Sequence, residues 1–278
     1  MSTPHLVDQK EIDMQRIIVW VGMLGCILSA SCRSEEKQNT MENTEGYHLF
    51  LLIGQSNMAG RGVVAEADQS VHPNIMTLNR EDQWVSAVDP IHFDKPIAGV
   101  GPGRSFALAV SANNPSITIG LIPGAVGGSP ISSWEPGALD EATHTHPYDD
   151  ALRRAKKAME AGTLKAILWH QGESDSNEAL APEYKEHLIR LIRRLREEFG
   201  DAELPFFIGQ LGNFSEKPWD QWQSQVNEAH LEVAQEIGGV HFVSSEGLGH
   251  KGDTLHFSAA AERELGRRYA QRYIAQVK

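Results

Sequence analysis

Among its 278 residues the chain has two cysteines, Cys26 and Cys32, and none after them. Whatever folds beyond Cys32 does so without a disulfide, a cysteine nucleophile or a thiolate metal site. Long apolar runs are nearly as scarce. The one continuous stretch, residues 17–28, falls short of the roughly 20 residues that a membrane-spanning helix needs. Positive charge is also limited, with 25 Lys and Arg against 37 Asp and Glu and a net charge of −12. The only dense basic stretch, residues 190–196, lies on a helical pattern beside Glu197 and Glu198, so no nucleic-acid partner is expected. No internal repeat or low-complexity tract is present.

Residues 17–28 follow Arg16 and give way to Ser29-Ala30-Ser31-Cys32. A basic residue, an apolar run and then small residues is the order of an export signal; the plainer alternative is a membrane-anchoring or buried helix. Leu28-Ser29-Ala30-Ser31-Cys32 resembles a bacterial lipobox, with its leucine one place further from the cysteine than usual. The resemblance implies that Cys32 is the lipidated first residue of a periplasmic or cell-surface protein. Met14 is then a more natural start than Met1, because residues 2–13 are polar. Residues 1–32 are thus read as an export signal with a lipobox. Residues 33–45, polar and without apolar period, read as a flexible tether. Residues 46–278 read as one catalytic domain that meets a membrane only through the lipid anchor.

From Tyr47 onward, short apolar runs alternate with helical patterns, the signature of a parallel sheet covered on both faces. Strands are expected at 47–53, 116–122, 165–169, 205–211 and 240–244. Helices are expected at 104–112, 149–161, 182–199, 219–237 and 258–276, and residues 74–79 and 83–88 form a hairpin pattern. The expectation is a three-layer α/β/α domain with about five parallel strands. In such sheets ligands bind beyond the carboxyl ends of the strands. That rule gathers Ser56, residues 124–129, His170-Gln171-Gly172-Glu173, Asn213 and Asp253-Thr254-Leu255-His256 on one rim.

A serine hydroxyl needs a base within hydrogen-bond reach and a third group to orient that base. Ser56 supplies the hydroxyl at a strand-to-helix turn, His256 is the histidine just before the last helix, and Asp253 lies three residues ahead of it. The G-x-S-x-G elbow of α/β-hydrolases does not fit, because Met58 stands two after Ser56 and the serine follows the first strand of the domain.

Gly54-Gln55-Ser56-Asn57-Met58-Ala59-Gly60-Arg61-Gly62, Gly101-Pro102-Gly103, Trp169-His170-Gln171-Gly172-Glu173-Ser174-Asp175 and Asp253-Thr254-Leu255-His256-Phe257 together resemble carbohydrate esterase family six. This is the acetylxylan esterase and sialate O-acetylesterase-like branch of the SGNH hydrolases, whose fold is flavodoxin-like. The resemblance runs from about Tyr47 to the C-terminus. It implies that Ser56 attacks an acetyl ester on a glycan such as acetylated xylan or O-acetylated sialic acid, with His256 moving the proton and Asp253 orienting it. It also implies an oxyanion hole from the Ser56 N–H, the Gln171 amide and a glycine N–H. Gly103, which opens a helix, is the first choice for that glycine and Gly101 the second. Glu173 is an alternative acidic partner for His256 or a support for its own loop. Competing readings are a carbohydrate-binding lipoprotein on a degenerate esterase fold, or a lipase or thioesterase of the same superfamily.

Other signals have ordinary explanations. His144-Thr145-His146 lacks a third ligand nearby, so no metal is expected, and no cofactor. Residues 124–129 could cradle an anion but lack the lysine of a phosphate loop, and read as a tight rim loop. Of Trp134, Trp219 and Trp222, Trp134 on the rim loop is the expected sugar platform, with Asn213 a further substrate contact.

Overall fold

The computed structural model describes residues 46–276. The export signal, the lipobox at Cys32 and the tether lie outside the described residues. Seven strands form one sheet in the order β3-β2-β4-β1-β5-β6-β7. They are β1 (Tyr47–Gly54), β2 (Ile75–Leu78), β3 (Trp84–Ser86), β4 (Ile119–Pro123), β5 (Gly162–His170), β6 (Phe206–Gly209) and β7 (Val240–Val243). All neighbours pair in parallel except β2 and β3. The helices are α1 (Ser56–Ala59), α2 (Pro102–Asn113), α3 (Pro147–Ala158), α4 (Tyr184–Phe199), α5 (Gln221–Glu236) and α6 (Ala259–Gln276).

β1 lies in the middle, and its side chains show why both faces are covered. Leu49, Leu51 and Ile53 enter one core with residues of α3, α4 and α5, while Phe50 and Leu52 enter the other with residues of α2 and α6. All five are fully buried, and each such side chain contributes about 1.5–3 kcal/mol relative to exposure. Local signals set the helix ends. Pro102 fills the first turn of α2, where its missing N–H costs nothing, and the Asp220 carboxylate caps the N–H groups of Trp222 and Gln223 at α5.

The five strands expected from apolar runs are β1, β4, β5, β6 and β7. The hairpin forms around residues 80–82, and it also extends the sheet: β2 pairs in parallel with β4, and Trp84 packs over Gly120. A β-carbon on Gly120 would lie 2.8 Å from the Trp84 ring, so the smallest residue admits the largest.

Candidate active site

β1 delivers Ser56. Gly54, its last residue, has φ +128°, and a β-carbon there would lie 2.1 Å from the His170 carbonyl oxygen on β5. Only glycine leaves the sheet this tightly. Gln55 N–H donates to the same oxygen at 2.8 Å, and α1 begins at the next residue. Ser56 is 6% exposed at the bottom of a cleft of about 270 Å³.

His256 reaches that cleft from the loop between β7 and α6. Its Nε2 lies 3.0 Å from Ser56 Oγ, and its Nδ1 lies 2.7 Å from Asp253 Oδ2. Asp253 Oδ1 accepts the backbone N–H groups of Leu255 at 3.0 Å and His256 at 2.8 Å. One carboxylate therefore shapes the loop and holds the ring. Burial by itself raises the Asp253 pKa, but the hydrogen bonds from the His256 ring and from the His256 and Leu255 N–H groups outweigh it and bring it down to about 2. An ionised Asp253 accepts the Nδ1–H, which leaves Nε2 as the acceptor facing the Ser56 hydroxyl.

Asn57 ties the two halves together. Its Oδ1 accepts the Phe257 N–H at 3.1 Å, and its Nδ2 donates to the Leu255 carbonyl at 3.2 Å, so it grips the chain on both sides of His256. Asn57 Nδ2 also donates to Glu173 Oε1 at 2.6 Å. Glu173 thus holds Asn57, with its other oxygen buried and unpartnered. No hydrogen bond joins it to His256, and of the two acids considered, Asp253 has the ring.

Two of the expected oxyanion donors, Gln171 and the glycine of residues 101–103, are placed differently. Gln171 is fully buried, and its Nε2 donates to Asp175 Oδ2 at 2.5 Å, Ser129 O at 3.1 Å and Gln55 Oε1 at 3.2 Å, while its Oε1 accepts from Tyr184. Its amide N–H groups are consumed beneath the rim. Gly103 packs on Leu52, where a β-carbon would lie 2.6 Å from that side chain, and Gly101 N–H faces Asp89. Neither glycine lines the cleft.

The expected Ser56 N–H does border it, together with two further donors, Gln55 and Gly128. The Ser56 N–H opens α1 and has no intrahelical partner. Gln55 Oε1 accepts the N–H groups of Gly172 and Ser174, so the amide nitrogen is the atom left over, and it makes no hydrogen bond among the described residues. Gly128, with φ +86°, follows β4, and its N–H likewise makes none.

The expected substrate contacts are also elsewhere. Trp134 is 1% exposed, donates to Ser129 Oγ at 3.1 Å and meets Trp169 edge-on, so it is a core residue behind the rim loop. Asn213 borders a separate depression beside His250. Trp219 and Trp222 are half-buried against the core. His146 Nδ1 bonds to the Ala138 carbonyl, and no group of three or more metal-ligating side chains occurs among the described residues.

The strand-end rule could have found Gly128, since residues 124–129 follow β4. Gln55 and Asn57 flank Ser56 in the first motif and were legible there as neighbours. Arg61, in the same motif, and Lys95 also line the cleft; Lys95 gave no signal beyond its charge.

The family model for carbohydrate esterase, sialic acid-specific acetylesterase matches residues 46–275. A protein of Arabidopsis thaliana described as a probable carbohydrate esterase is 33% identical over 265 residues, spanning 87% of this chain and 95% of that protein. An X-ray structure of an Arabidopsis thaliana protein superposes with a TM-score of 0.74 at 31% identity, covering 84% of this chain and 99% of the other. A carbohydrate acetylesterase from Xanthomonas citri has a TM-score of 0.61 at 21% identity, covering 83% and 57%, and shares the fold. With a match over nearly the whole described domain, the chain belongs to the carbohydrate esterase, sialic acid-specific acetylesterase family.

Proposed function

We propose that this protein is a serine acetylesterase that removes O-acetyl groups from glycans through an acyl-enzyme on Ser56, as a member of carbohydrate esterase family six within the SGNH hydrolases. The observation that carries the reading is His256 bridging Ser56 Oγ at 3.0 Å and Asp253 Oδ2 at 2.7 Å. Ser56 Oγ attacks the acetyl carbonyl carbon while His256 Nε2 takes its proton. The carbonyl oxygen becomes an alkoxide facing the Ser56 N–H, the Gly128 N–H and the Gln55 amide. Loss of one such donor typically costs on the order of a hundredfold in turnover. The C–O bond to the sugar then breaks, and His256 returns the proton to the sugar oxygen. Water, deprotonated by His256, attacks acetyl-Ser56 and releases acetate with the free serine.

The family and the Arabidopsis thaliana relative support a carbohydrate ester as substrate, and acetylated xylan and O-acetylated sialic acid are the two glycans to test. The wild type should release acetate from one of them and from p-nitrophenyl acetate, and Ser56→Ala should release essentially none. Equal rates in both proteins would overturn the mechanism. We propose also that the chain is exported and anchored through a lipid on Cys32, on the strength of residues 16–32. A mature protein that kept residues 1–31, read by its mass, would refute this.

A further inference from the structure

The loop that carries His256 is closed at its base and shaped at its crown by different groups. At the base, His250 and Phe257 pair as an antiparallel bridge, and the Lys251 N–H donates to the His256 carbonyl at 2.9 Å. At the crown the chain passes through two left-handed residues, Gly252 with φ +115° and Thr254 with φ +53°, one on either side of Asp253. A β-branched residue rarely adopts that conformation, so Thr254 has to be held in it by a partner. The partner is the His250 side chain. Its Nδ1 accepts the Gly252 N–H at 2.9 Å and the Thr254 N–H at 3.1 Å, so one ring atom fixes the residues before and after Asp253.

Both of those partners are N–H donors. The ring can receive them only with Nδ1 unprotonated, which puts its one proton on Nε2. Nε2 lies 3.7 Å from Glu216 Oε1. The His250 side chain is 17% exposed, and its ring meets Phe214 edge-on at 4.9 Å, which keeps Nδ1 turned toward the loop. In the depression beside the ring, Glu216 is the one other charged side chain among the described residues, and Lys251 and Asp253 are the charged neighbours on its own loop.

We propose that His250 is a positioning residue for the reaction: as a neutral imidazole it holds the crown that aims Asp253 at His256, and a proton on its Nδ1 releases that crown. The proposal rests on the acetylesterase reading of Ser56 and His256. A proton added to Nδ1 sets one N–H against two others, so both hydrogen bonds are lost together. Asp253 then loses the frame that directs it, and a misplacement of about 1 Å in such a group costs on the order of a hundredfold in rate.

Two substitutions separate the acceptor from the ring. In His250→Asn, Oδ1 stands at the same bond separation from the backbone as Nδ1, and it accepts N–H groups two and more residues on without taking up a proton. In His250→Phe a ring stays against Phe214 but offers no acceptor. In mildly alkaline solution, His250→Asn should keep kcat on p-nitrophenyl acetate within about threefold of wild type, and His250→Phe should lose about ten- to hundredfold, with KM nearly unchanged in both. An impaired His250→Asn, or full kcat in His250→Phe, overturns the proposal. On acidification the wild type should lose kcat more steeply than protonation of His256 alone allows, and His250→Asn should follow the one-proton curve. Superimposable profiles overturn the release by protonation. A readout that needs no turnover is taken on Ser56→Ala, where the Gly252 and Thr254 amide resonances should shift together as the His250 ring titrates. Amide resonances that ignore the ring overturn the role of His250 and leave the esterase reading intact. Coupled shifts in a protein whose wild type releases acetate from no ester overturn the esterase reading and leave the loop contact standing.

Discussion

The turn that carries Ser56 and the loop that carries His256 meet at 3.0 Å but are built in opposite ways. The turn is part of the core: Asn57, Met58 and Ala59 are buried, and Gly54 fixes its exit from the sheet. The loop lies at the surface, where Lys251, Gly252, Asp253 and Leu255 are exposed. It is shaped by its own hydrogen bonds: Asp253 to the N–H groups of Leu255 and His256, and His250 Nδ1 to those of Gly252 and Thr254. Besides the His256–Ser56 contact, the Asn57 side chain joins this loop to the Ser56 turn. Ser56 is held by packing, and His256 by polar contacts that solvent can compete for. Changes in the loop should therefore act on catalysis before stability, and changes in the turn on both.

Removing His256 is the largest break in this comparison. His256→Ala should lower kcat on p-nitrophenyl acetate by on the order of 10⁴-fold or more with little change in Tm. A variant keeping a tenth of wild-type turnover would show that another group accepts the Ser56 proton. Next in size, Asp253→Asn should lower kcat by about 10³–10⁴-fold and Glu173→Gln by about tenfold. The reverse order would transfer the acidic role to Glu173.

Asn57→Ala removes the clasp and sharpens the comparison most. Its kcat should fall about ten- to hundredfold with KM nearly unchanged, and its Tm should drop, since each of its three hydrogen bonds contributes about 1 kcal/mol. A fall in Tm with full activity would reduce Asn57 to a packing residue. The smallest effect is in acid. The folded Asp253 pKa is about 2 against an ordinary 3.8, so on acidification the unfolded chain takes up the proton first. The stabilisation is complete above about pH 4 and is lost as pH falls toward 2. Denaturant midpoints of wild type and Asp253→Asn should therefore converge across that window, and a constant gap would contradict the assigned shift.

The layers and the five central strands were legible because β1 and β4 to β7 are short apolar runs with helices between them. Attachment of the hairpin to the sheet was not, since pairing of β2 with β4 depends on Trp84 meeting Gly120, a contact that no local pattern encodes. At the site, the strand-end rule named Ser56, Asp253 and His256, and these are brought together. The rule places residues on a rim but does not set their depth. Gln171 and Trp134 sit on rim segments and yet turn inward, because Asp175, Ser129 and Tyr184 satisfy the first and Trp169 packs against the second. Gly128 lies in the glycine-rich loop after β4, whereas the sequence resemblance and the start of α2 point to Gly103.

The Asn57 clasp also bears on the order in which the protein becomes competent. Asn57 and Leu255 are 198 positions apart, one just after the first strand of the domain and the other just before its last helix. During synthesis Ser56 emerges early and His256 near the end of the chain. A nascent chain that ends before His256 carries Ser56 without the imidazole it faces in the fold. On the proposed mechanism activity is acquired when the segment carrying His256 docks, and a truncation ahead of His256 should abolish it outright.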